Sequence, residues 1–315
     1  MAVTTTTSGP IPPGARGPGS PGTPASGAPA SRHHLAPTRS PERRLAGDLR
    51  AVKIVWQREL ARFMQDRTRI VAQVVQPVLF LFVLGAGLNS LASGGTHGVS
   101  LKTFFYPGIL GMSVMFTAIF SAASIVWDRE FGFLREMLVA PVRRGSIVIG
   151  KCLGGATVAG MQGLIVVAMA GLVHVPYNPV MLVEIVGLQL LLAFTLTAFG
   201  IMMSARIKQM TSFMALIQML IMPLYFISGA MFPVSGLPTW LEVLNRIDPL
   251  TYAVDPIRRV VFAHLHLSPA ARATLDPGVS WGSWHLPIGF EAGVVGVLGV
   301  IMLVAGWLEF NRTDT

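Results

Sequence analysis

The sequence predicts an all-α integral membrane protein with six transmembrane helices. Composition is the first reason: 52% of the 315 residues are hydrophobic and 12% are charged, where a soluble domain carries about 25% charged residues. Mean hydropathy is +0.60. The second reason is that apolar runs long enough to cross a bilayer recur six times along the chain. The third is a charged amphipathic insert, residues 127–151, lying between two of those runs. Asp128, Arg129, Glu130, Arg135, Glu136, Arg143, Arg144 and Lys151 cannot sit in lipid at low cost, so the insert faces water.

Residues 1–44 are rich in Pro, Gly, Ser, Thr and Ala and poor in aliphatic side chains. Such a segment buries too little apolar surface to offset its ordering entropy, and it reads as a disordered tail. It has no apolar core of the signal-peptide kind. Residues 45–68 change character. Leu49, Val52, Trp56, Leu60 and Phe63 draw one apolar stripe at helical spacing, and Arg50, Lys53, Arg58 and Arg62 surround it. This is the pattern of a basic amphipathic helix lying in the membrane interface. A soluble helix packed on a partner has the same pattern.

The membrane body spans 69–310, with runs at about 70–91, 104–126, 152–173, 180–205, 211–232 and 288–308, and residues 311–315 follow. Pro77 and Pro223 fall inside runs and predict kinks, with neighbouring helices satisfying the freed carbonyls. Basic residues crowd the segment from Arg32 to Arg69 and the loop from Arg129 to Lys151, and Arg206 and Lys208 follow the fourth run. The two short loops of the other side hold only Lys102. The positive-inside rule then puts both termini in the cytoplasm. The high isoelectric point is an orientation and headgroup signal rather than a nucleic-acid footprint. Residues 233–287 become an external segment. Within it Leu237, Trp240, Leu241 and Leu244 share one helical face, and Asp255-Pro256 has the form of an N-cap opening a second helix. Two short helices there predict a re-entrant hairpin or lid; a plain external loop is the alternative.

Two stretches carry a family resemblance. One runs Arg129-Glu130-Phe131-Gly132-Phe133-Leu134-Arg135-Glu136-Met137-Leu138-Val139-Ala140-Pro141. The other is Phe232-Pro233, Leu237-Pro238-Thr239-Trp240-Leu241 and Asp248-Pro249-Leu250-Thr251-Tyr252, continuing to Asp255 and Arg258. With these motifs the chain, over residues 45–312, resembles the permease subunit of type-2 ABC exporters, in particular the daunorubicin-type drug-resistance branch. That branch often has Thr or Ser where this chain has Phe133. The resemblance implies a multi-pass protein of the cell membrane that works as one of two permease copies, in a homodimer or heterodimer. It implies a cytoplasmic coupling helix, carried by Asp128, Arg129, Glu130, Phe131, Gly132, Leu134, Arg135, Glu136, Leu138 and Pro141, that docks on a separate ATP-binding subunit. ATP and magnesium then belong to that partner, and this chain holds no cofactor and no catalytic residue. It also implies an external hairpin gate, carried by Pro238, Trp240, Leu241, Asp248, Pro249, Tyr252, Asp255 and Arg258. The cargo it implies is a drug, antibiotic or lipid-like compound; glycan exporters share the scaffold.

Other signals are weaker. Gly145 to Cys152 approaches a phosphate-binding loop, but Cys152 stands where Ser or Thr should hold magnesium, and an apolar run follows. Glu184 and Glu291 are the acids within apolar runs; both fall near outer ends, where headgroups can solvate them. Gln73, Gln76, Gln162, Gln189 and Gln218 read as interhelical hydrogen-bonders. The single cysteine excludes an intrachain disulfide and a multi-cysteine metal site. An intramembrane serine protease would need a histidine in a span core, and none is there. A secondary transporter would show an ionisable pair or broken helices near the midplane, and the sequence shows neither.

Overall fold

The computed structural model describes residues 45–87, 100–133, 143–173, 175–231, 238–265, 268–269, 275, 278–281 and 284–313. Helix α1 (Leu45–Gln65) has Asp48 in its first turn and Arg62 in its last, both favourable to the helix dipole. It buries Ala51, Glu59 and Phe63 and lies along α4 (Arg144–Ala168). Leu45 and Leu49 stay exposed, so the contact face is rotated from the apolar stripe toward Glu59. The chain turns at Asp66, whose Oδ1 accepts from Arg69 N at 3.0 Å and caps α2 (Arg67–Gly87).

Helix α3 (Leu101–Glu130) is the centre of the molecule. At 30 residues it is about 45 Å long, while the apolar core of a bilayer is about 30 Å thick. The helix is therefore longer than the apolar layer is thick. Within its apolar window 83% of residues are buried, against 11% for α2. The neighbours α4, α5 (Pro179–Ser204) and α2 wrap it. Helix α4 starts eight residues before the expected 152, with Lys151 inside it. It ends at Ala168, whose carbonyl accepts from Tyr177 Oη at 2.6 Å; a 3-10 turn, Ala170–Val173, follows. Asn178 caps α5 through Val180 N at 2.9 Å with Pro179 at the first helical position.

Helix α6 (Met210–Ile227) stops five residues before the expected 232. The cause is Gly229, at φ 73°, which ends the helix in the left-handed region. Then come α7 (Thr239–Ile247), α8 (Thr251–Ala263), a two-residue antiparallel ladder of β1 (Ser280–Trp281) with β2 (Trp284–His285), and α9 (Ile288–Thr313). The ladder is the one departure from an all-helical reading among the described residues. Among the described residues six helices, α2 to α6 and α9, are long and apolar enough to cross a membrane. The protein is an all-α membrane protein.

The kink expected at Pro77 has an identifiable partner. Proline has no N–H for the carbonyl four residues back, which here belongs to Gln73. Gln162 Nε2 on α4 donates to that carbonyl at 2.6 Å. We expect Gln162→Leu to destabilise the protein by about 1 kcal/mol. In a Pro77→Ala background, where α2 regains its own N–H, the loss should shrink toward zero. Thermal unfolding of the four variants in detergent measures this; equal losses in both backgrounds would reject the assignment.

Candidate functional site

At the basic end of the bundle, α1, α3 and α4 meet around one ammonium group. Lys151 Nζ donates to Asp128 Oδ2 at 2.7 Å, Glu59 Oε1 at 3.0 Å and Ser124 Oγ at 3.0 Å. These use all three of its donors. Arg58 and Arg62, one turn apart on α1, reach Asp128 at 2.8 and 3.3 Å. The side chains of Asp128, Lys151 and Glu59 are all nearly or wholly buried. The near match to a phosphate-binding loop is therefore helix, and its lysine is engaged with carboxylates.

The next two residues of α3 turn elsewhere, because each helical residue rotates about 100° from the last. Arg129 Nη1 donates to the carbonyls of Ser204 at 3.0 Å and Ile207 at 2.9 Å, closing the end of α5. Glu130 Oε2 accepts from Met210 N at 2.8 Å, at the first residue of α6. So Asp128, Arg129 and Glu130, read from sequence as part of a partner-facing helix, lie in α3 and engage their own chain. Phe131 and Phe133 face outward beside exposed Trp127, with the Trp127 and Phe131 rings 5.1 Å apart. Gly132 between them has φ 82°, a region that side chains disfavour. Leu134, Arg135, Glu136, Leu138 and Pro141 lie outside the described residues.

A track of polar and aromatic side chains runs along α3 from this end. A cavity of about 450 Å³ is lined by Glu59, Arg62, Asp66, Arg69, Phe120, Trp127 and Met214, among others. Phe120 also borders a narrower recess of about 70 Å³ with Gln73, Gln76, Ser113, Phe116, Thr117 and Gln162. This lining suits a molecule with apolar bulk and a few hydrogen-bonding groups.

At the opposite end, α8 is buried over most of its length against α5, α9 and α3. It begins at Thr251, so Asp255-Pro256, expected to open it, lies inside. The turn before it belongs to Asp248-Pro249: Asp248 Oδ1 accepts from Leu250 N at 2.9 Å. Asp248 Oδ2 is buried with no protein partner, and burial pushes this carboxyl up to about 7. Asn245 donates to the Ile227 carbonyl at 2.6 Å and to Thr251 Oγ1 at 3.1 Å. Tyr252 Oη donates to the Arg246 carbonyl at 2.5 Å. Arg258 donates to the Gly229 carbonyl and lies over the Phe104 ring, 5.1 Å from its centroid. Asp255 pairs with Arg259 at 2.9 Å, and Arg259 also pairs with Glu291. Glu291 is fully buried, which corrects the expectation of a solvated interface residue; Glu184 is exposed. Pro238 and Trp240 are exposed, Leu241 and Pro249 half-buried. On the same α7 face, Leu244 is exposed within this chain. Sequence reasoning missed Glu59, Lys151, Arg259 and Glu291 as cluster members; charges within helices flanked by apolar residues were the available signal.

The family described as ABC-2 type transporter matches residues 50–262. Nodulation protein J of Rhizobium leguminosarum bv. viciae is 31% identical over 233 residues, 71% of this chain and 86% of that protein. The ycf38 protein of Cyanophora paradoxa is 30% identical over 213 residues, covering 65% of this chain and 72% of its own length. Inner membrane transport permease YadH of Escherichia coli (strain K12) is 26% identical over 209 residues, 66% of this chain and 81% of YadH.

Two predictions follow from the geometry of the two ends. Lys151→Met leaves Glu59 buried without its cation and should destabilise by about 3–5 kcal/mol; adding Glu59→Met should recover part of the loss. Denaturation of detergent-solubilised protein reads both, and an unchanged midpoint for the single variant would reject the cluster. The raised Asp248 means that the folded state holds a proton the unfolded state has released. Stability from this site is therefore fully present below about pH 4, falls as pH rises to about 7, and stays low above. Asp248→Asn should raise the melting temperature at about pH 8 and make little difference at about pH 4. An equal shift at both would reject the buried-carboxyl account.

Proposed function

The chain belongs to the ABC-2 type transporter family, and on that premise we propose that it is the permease of an ATP-driven exporter. As a membrane-spanning ABC transporter subunit, it moves a hydrophobic or amphipathic compound of the drug, antibiotic or lipid class outward, and a separate ATP-binding subunit hydrolyses ATP. The observation that supports this best is the end of α3. The most buried span finishes in a clamped trio, Asp128, Arg129 and Glu130, and immediately presents Trp127, Phe131 and Phe133 to the outside. Force applied at residues 131–141 by a docked partner would move α1, α4, α5 and α6 with α3.

The basic end then faces the cytoplasm of a cell whose membrane the protein crosses, with both termini inside. A second permease copy covers the open faces of α2 and α6. Val71, Val75, Leu79 and Val83 form an exposed stripe on α2, and Met219, Met222 and Phe226 one on α6. Gln76 and Gln218 are exposed beside them. A face meant for lipid alone has no use for two amides, whereas a helix interface does. The track along α3 opens between these faces and fits amphipathic cargo.

The test uses the chain co-expressed with its ATP-binding subunit and reconstituted in vesicles. Transport should require ATP inside the equivalent of the cytoplasmic face and ignore an imposed ion gradient. Replacing Phe131 and Phe133 together by Asp should lower co-purification of the ATP-binding subunit at least about tenfold, the scale of losing a buried aromatic contact. Trp240→Asp at the other end should leave that binding intact. Gradient-driven transport without ATP, or full binding by the Phe131/Phe133 variant, would overturn the reading.

A further inference from the structure

A groove of about 840 Å³ lies between α1, the start of α4 and the end of α9. Its lining is divided. Leu49, Val52, Ile149, Leu153, Leu303 and Val304 make the walls. Arg143 and Arg144 stand at the mouth, and Trp307 borders it with its indole partly exposed. Asp48 pairs with Arg143 Nε at 3.3 Å and leaves about half of that arginine side chain exposed. Arg144 Nη1 donates to the Asn311 carbonyl at 3.3 Å and ties α4 to the last turn of α9. Helix α4 has no side-chain cap, so its first N–H groups add positive potential at the same mouth.

We propose that this groove binds an acidic phospholipid, with the phosphate at Arg143, Arg144 and the α4 N-terminus and an acyl chain along the apolar walls. The two arginines and the helix end outweigh the lone Asp48, so the mouth selects an anion. A free anion would have no use for walls of leucine, isoleucine and valine. Helix α9 is a span with only 17% of its apolar window buried, so an occupant reaches the groove from within the bilayer. Tryptophan is the residue that sits at the headgroup level, and basic pockets between spans on the cytoplasmic side suit acidic headgroups. The bound lipid joins α1, which lies along α4, to α9. Its headgroup also sits on Arg143, directly after the segment read as the coupling helix. The assignment to the inner leaflet rests on the orientation proposed above; the site itself does not.

Tryptophan quenching tests the site. The full-length chain is reconstituted in phosphatidylcholine vesicles containing either brominated phosphatidylglycerol or brominated phosphatidylcholine. The Trp307 signal is obtained by difference from Trp307→Phe. Phosphatidylglycerol should quench it at a several-fold lower mole fraction than phosphatidylcholine. Arg143→Ser, which keeps the Arg144–Asn311 bond, should weaken that preference about fivefold. Val304→Phe, which fills the groove and keeps both charges, should reduce quenching by both lipids. Equal quenching by the two lipids in the parent chain would overturn the proposal, as would a preference unchanged by Arg143→Ser. Displacement by inorganic phosphate at equal ionic strength would reassign the site to a free anion. Both leaflets carry the same lipid in these vesicles, so the result does not depend on orientation. Impermeant labelling of a cysteine at Ser40 in a Cys152→Ala chain reads orientation separately.

Discussion

An ionised group left unpaired where water is scarce costs several kcal/mol, and most of this molecule's layout answers to that penalty. Asp128 and Lys151 are the strictest case. Each is buried, each is on a different helix, and neither is tolerable alone. Pairing them fixes α3 against α4, and Glu59 then fixes α1 against both. Because a charge-assisted contact depends on distance and direction, the cluster specifies register as well as proximity. Apolar packing alone would let α1 slide along α4, since small displacements change little buried area. The rotation of α1 away from its most apolar stripe shows which force decided: the helix turns Glu59 inward and leaves Leu45 and Leu49 out.

The same penalty acts at helix ends, where carbonyls and N–H groups run out of partners. Here side chains of one helix repeatedly complete the end of another. Arg129 of α3 closes α5, Glu130 of α3 opens α6, and Asn245 of α7 and Arg258 of α8 donate to carbonyls at and just past the end of α6. Tyr177 does so for α4. In water such bonds would compete with solvent and contribute little. Near or within a bilayer the alternative is an unsatisfied dipole, so each bond sets where a helix may stop.

Much of this was legible in sequence, and the reasons for the rest are specific. The spans were readable because lipid demands a run of apolar residues, a one-dimensional signal. The carbonyl that Pro77 leaves without its helical donor follows from backbone chemistry, and Gln162 meets it. What did not show was direction. Asp128, Arg129 and Glu130 look like one charged surface in a string, yet on a helix they point at three different neighbours. Glu291 looked solvated because its partner, Arg259, is 32 positions away. Asp255-Pro256 has the form of an N-cap, but the turn formed earlier, where Asp248 accepts from Leu250 N. Residues 134–142, most of them in the expected coupling helix, and residues 232–237 lie outside the described residues.

These end-to-end bonds also give the fold a mechanical line. Helix α6 is tied at its first residue to Glu130 of α3, and at its last turn to Asn245 and Arg258 of the hairpin. It touches little else: 22% of its apolar window is buried, against 83% for α3. A helix held at both ends and lightly packed within its own chain carries a pull from one end to the other. Displacement of the basic end of α3 would reach the α7–α8 hairpin through α6, because the two connections are directional bonds. Contiguity alone does not measure coupling. It does show that the two ends of α6 are bonded to different parts of the chain, Glu130 of α3 at one end and Asn245 and Arg258 at the other.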